Sequence, residues 1–88
     1  MKHLIVSIYD SGYGFNVTII DNKKVTDYYP DEKLNIATSL QNVYDKHDEV
    51  YFETYLRETY KDEYDTICII ENASTTIIKG EQQSEKED

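Results

Sequence analysis

Between Asp45 and Asp65 the chain carries eight carboxylates, Asp45, Asp48, Glu49, Glu53, Glu58, Asp62, Glu63 and Asp65, against the three cations Lys46, Arg57 and Lys61. On a helix, carboxylates four or five positions apart lie about 6 to 7.5 Å apart along the axis, which suits a groove built to hold the phosphates of DNA or RNA. Such a run is a polyanion mimic in outline. Tyr44, Tyr51, Tyr55, Tyr60 and Tyr64 lie in the same stretch, and a rigid ring with a polar tip makes a good interface anchor. The expected contact residues are therefore the eight acids together with Tyr55. The plainer alternative is a solvated helix face tied by pairs such as Glu53 with Arg57, its tyrosines in the core with wet hydroxyls.

Other chemistry is poorly provided for. His3, His47 and Cys68 are far apart in sequence and form no zinc-ligand spacing. Gly12-Tyr13-Gly14 lacks the third glycine of a dinucleotide loop and the lysine of a phosphate loop, so it reads as a turn. Asp21, Asp27 and Asp31 lack the glycine and closing glutamate of a calcium loop. Cys68 stands in Thr66-Ile67-Cys68-Ile69-Ile70, where a thiol behaves as a small apolar side chain and not as a nucleophile. No catalytic residue, metal or cofactor is expected, and the chain reads as a binding protein and not an enzyme.

Composition points the same way. With 18 acidic and 9 basic side chains among 88 residues, the formal charge is −9. Repulsion makes direct binding to nucleic acid or to an anionic membrane unfavourable, and the same field speeds encounter with cationic partners. The expected partner is a basic protein surface, with the nucleic-acid-binding face of a host enzyme as first candidate. A single cysteine fits a reducing cytoplasm, and the apolar run Leu4 to Tyr9 is too short for a signal peptide or a membrane span.

These residues need a scaffold, and the periodicities supply an α+β domain over residues 1–79. Residues 2–9 (KHLIVSIY) read as a strand ended by the turn Asp10 to Gly14; alternation from Phe15 to Ile20 gives a second strand and Val25 to Tyr29 a third. The result is a three-stranded antiparallel meander. After Pro30, Asp31 is the expected helix cap, and Ile36, Ala37, Leu40, Val43 and Tyr44 share one face of a helix over 32–47. Phe52, Tyr55, Leu56, Tyr60 and Tyr64 repeat that spacing over 49–64. One or two helices thus pack on one face of the sheet. Thr66 to Ile70 and Thr75 to Lys79 form a closing strand or hairpin through the turn 71–74. Residues 80–88 offer no apolar side chain after Gly80 and read as a disordered acidic tail.

A short strand over Val50 to Thr54 ahead of a shorter helix is the alternative for the second helix. The order then becomes three strands, a helix, a strand, a helix and a strand, which resembles ribonuclease H-like folds. That resemblance implies a minimal metal-dependent nuclease, with Asp10 ending the first strand and Glu53 or Glu71 on a later one as Mg²⁺ ligands. In size, acidity, tyrosine content and lack of a catalytic signature, the chain resembles small accessory proteins of bacteriophages and mobile elements. That likeness covers no motif; it favours an inhibitor, such as a counter-defence protein, over an adaptor or subunit without mimicry.

Overall fold

The computed structural model describes residues 1–9, 14–31, 33–72 and 74–79. Its elements run β1 (Lys2–Tyr9), β2 (Gly14–Asp21), β3 (Lys24–Tyr28), α1 (Ile36–Lys46), α2 (Glu49–Tyr60), β4 (Thr66–Glu71) and β5 (Ser74–Lys79). Strand alternation in β1 sends Leu4, Val6 and Ile8 to the helix side, and direct pairing aligns Phe15 and Val17 of β2 with Ile8 and Val6. The α+β class is as expected; the sheet is not. Instead of a three-stranded meander with a closing strand, there is one mixed five-stranded sheet in the order β3-β2-β1-β4-β5. The meander forms three of its five strands, antiparallel throughout. β4 then lies parallel to the other side of β1, and β5 turns back antiparallel to β4.

The parallel pair is fastened at both ends. Asp65 donates its N–H to the carbonyl of Lys2 (2.7 Å) and accepts the Lys2 N–H on its carboxylate (2.8 Å), just before His3 pairs with Thr66. At the other end the Asn72 N–H donates to the carbonyl of Ile8 at 3.0 Å. Asn22 and Asn72 take left-handed backbone conformations (φ 59 and 53) at the β2–β3 and β4–β5 turns, where asparagine is tolerated better than bulkier residues.

Both helices lie on one face of the sheet, α1 against β2 and α2 against β4. The first helix begins at Ile36, later than expected, and its cap is Asn35 in place of Asp31: the Asn35 side chain accepts the Thr38 N–H at 2.9 Å. Asp48 caps α2 in the same way, accepting from Tyr51 N–H at 2.8 Å. No strand forms over 50–54. Phe52 and Leu56, one turn apart on α2, join Ala37 and Leu40 of α1 over Leu4, Val17 and Ile67 of the sheet in a single core. Phe15, Tyr44 and Phe52 meet edge-on or tilted with centroids 5.4 to 6.3 Å apart, which locks the helix pair to β2. The turn expected at 10–13 and the tail expected over 80–88 lie outside the described residues. No helix among the described residues is long and apolar enough to cross a membrane.

Candidate functional site

Two consecutive helices with a two-residue corner bring the end of α1 and the start of α2 beside the end of β4. A depression of about 620 Å³ is lined by Tyr44, Asp45, His47, Asp48, Glu49 and Val50. A second, of about 520 Å³, is lined by Glu49, Ile69, Glu71, Asn72, Ser74 and Thr76, so the two share Glu49. Between them Tyr44, Glu49, Glu53 and Glu71 border one small hollow. The whole is an acidic cleft with an aromatic floor.

Each side chain has a local reason for its position. Asp48 spends one carboxylate oxygen on the α2 cap, and Glu49 stands in the first turn, where the helix dipole favours negative charge. Glu53 follows Glu49 by about 40° around the helix and about 6 Å along it, and is tied to Arg57 at 3.2 Å. Glu71 closes β4 and accepts the Tyr44 hydroxyl proton in a 2.6 Å hydrogen bond. That bond, then burial, then the charges of Glu71, Glu49 and Asp45 push the Tyr44 phenol up to about 12. Asp45 is different. It stands in the last turn of α1, where the dipole disfavours an anion, and neither Asp45 nor Glu49 forms an ion pair among the described residues.

His47 and Tyr51 stack at the rim with centroids 3.9 Å apart and planes inclined by 21°. Tyr51 is exposed, whereas Tyr44, Tyr55 and Tyr60 are half-buried against the core and Tyr64 is buried. Burial, followed by Glu63 and neighbouring rings and acids, holds Tyr64 up at about 12, with Lys2 Nζ 5.1 Å from its ring centre.

The expected contact residues therefore divide. Asp45, Asp48, Glu49 and Glu53 come together, and Glu71 joins them. Glu58 is nine residues beyond Glu49, about 180° around the helix, and it lies 4.0 Å from Lys61. Glu63 pairs with Lys2 at 3.4 Å at the far end of the domain, and Asp62 follows α2 in the same turn. Asp65, only 6% exposed, fastens β1 to β4 and does not belong to an acidic surface. No continuous stripe of eight carboxylates forms. Tyr55 packs on the core with part of its ring exposed. Glu71 is the member of this acidic group that periodicity missed; its sign in the sequence is that an acid ends the apolar run TICII, at a strand end where loops and helix corners gather.

The nuclease arrangement is not assembled among the described residues. Glu71 does end a later strand, β4, beside β1, but both helices precede β4, β5 runs antiparallel to it, Glu53 is helical, and Asp10 lies outside the described residues. No group of three or more potential metal ligands is found among the described residues. No protein-family model, curated protein or solved structure matches this chain.

Proposed function

We propose that this chain is a small acidic binding protein that takes a cationic segment of another protein into the cleft formed by Asp45, Asp48, Glu49, Glu53 and Glu71. The observation that carries the reading is Asp45 with Glu49: two carboxylates without ion-pair partners among the described residues, one of them placed against its own helix dipole. Capping explains Asp48 and the dipole explains Glu49. Neither explains Asp45, whose charge acts on Tyr44 together with those of Glu71 and Glu49, and a bound Arg or Lys side chain would relieve that concentration of charge.

The partner surface that suits a −9 domain best is one that itself holds nucleic acid. Occupying it would inhibit the partner, as a counter-defence protein of a phage or mobile element does. The mimicry is a compact cluster of carboxylates and not an extended imitation of a phosphate chain. Affinity capture from the native cell lysate at low salt tests this: a basic, nucleic-acid-binding protein is retained and released as salt rises, because screening weakens the contact. Retention of no basic protein would contradict the reading.

A further inference from the structure

The helices cover one face of the sheet, and no element among the described residues covers the other, the bare face. Direct pairing places Ile5, Cys68 and Ile77 in one row across β1, β4 and β5 on that bare face, with Ile20, Val25 and Ile70 in the flanking rows. Ile77 is 62% exposed and Val25 61%. The same face carries the uncharged polar residues His3, Ser7, Asn16, Thr18, Thr66 and Thr75, and its apolar side chains concentrate over β4 and β5, where Ile67-Cys68-Ile69-Ile70 is an unbroken apolar run, the pattern of a strand covered on both sides. The helices supply one cover.

Charge selects the other. Among the described strand residues facing this side, the full charges are Asp27 and Lys79, which cancel, and Asp27 is already engaged by the Thr18 hydroxyl at 2.6 Å. The chain as a whole carries −9. Two copies repel one another through their net charge, and this face, whose described charges cancel, adds nothing to that repulsion. A strongly charged partner would find no counter-charge here, and residues 81–88 (EQQSEKED) have no apolar side chain to lay on it. The size is adequate: strands about 4.8 Å apart and about six residues long give about 24 by 20 Å in plan, and side-chain relief brings the accessible area toward the ~800 Å² that each partner contributes to a stable interface.

We propose that this chain forms a two-fold dimer in which the bare sheet faces of two copies, centred on Ile5, Cys68 and Ile77, pack against each other. The contact is isologous and leaves both acidic cleft regions, on the helix side, open. Sedimentation equilibrium of the full chain under reducing conditions, over a concentration series, should give twice the 10.4 kDa chain mass and hold it in high salt. The variant I70K/I77K should sediment at the single-chain mass with an unchanged circular dichroism spectrum. If that pair fails to fold, Ile77→Lys alone, at a position exposed on the single chain, replaces it. Cys68 provides a second reading: its rate of maleimide labelling falls as protein concentration rises. A single-chain mass at every concentration overturns the proposal, and so does a dimer that persists in the folded lysine variant.

Discussion

Tyr44 and Glu71 show how one contact sets the character of the cleft. The 2.6 Å bond fixes the carboxylate against the ring, and the neighbouring acids make loss of the phenol proton still harder. Tyr64 is raised to a similar value chiefly by burial. Both folded values lie above the ordinary 10.0, so each tyrosine contributes stability that is fully present below pH 10 and lost as pH rises through about 12. Burial also raises Tyr60, so an absorbance titration of tyrosinate should show Tyr44, Tyr60 and Tyr64 ionising after the other tyrosines, with stability falling as Tyr44 and Tyr64 ionise. Glu71→Gln should move Tyr44 back toward 10 and leave Tyr64 where it is. Asp65 acts differently, because its carboxylate is buried and accepts a backbone N–H. Asp65→Ala should cost about 2 kcal/mol in urea unfolding, while Asp65→Asn, which keeps an acceptor, should cost less.

At the scale of elements, the caps separate stability from binding. Asp48→Ala removes the acceptor for the Tyr51 N–H and should destabilise the domain by about 1 kcal/mol. Asp48→Asn keeps that acceptor and removes the charge, so unfolding should change little while partner affinity falls. The bounds of β1, those of the other four strands to within one residue, the existence of both helices and the apolar face of each were legible in the sequence, because strand and helix periods are local. The pairing of β1 with β4 was not, since register between strands more than fifty residues apart leaves no mark in either. The cap of α1 was misplaced because Asp31 and Asn35 are both good caps, and the choice depends on where Ile36 and Leu40 reach the core. The cleft was half legible. Asp45 to Glu53 stood out by density, and the spacing of nine between Glu49 and Glu58 already turned the second acid to the far side of the helix. Glu71 entered only through the sheet.

Across the whole molecule, the two faces divide the work. The helix side holds the acids at its two ends, one cluster around Tyr44 and one paired with Lys2 and Lys61, while the bare sheet face is nearly free of charge. A dimer through that face presents two acidic cleft regions, and a partner with two cationic segments would gain avidity from them. Binding in this reading depends on where the charge lies and not on net charge alone. Its most direct test is therefore a comparison of two variants that each remove three negative charges from the chain's −9: Asp45→Asn/Glu49→Gln/Glu53→Gln at the cleft, and Glu58→Gln/Asp62→Asn/Glu63→Gln at the far end. With both folded, low-salt capture of the basic partner should be lost for the cleft variant and kept for the far-end variant. Equal loss from both, or capture that survives neutralisation of the cleft, would contradict it.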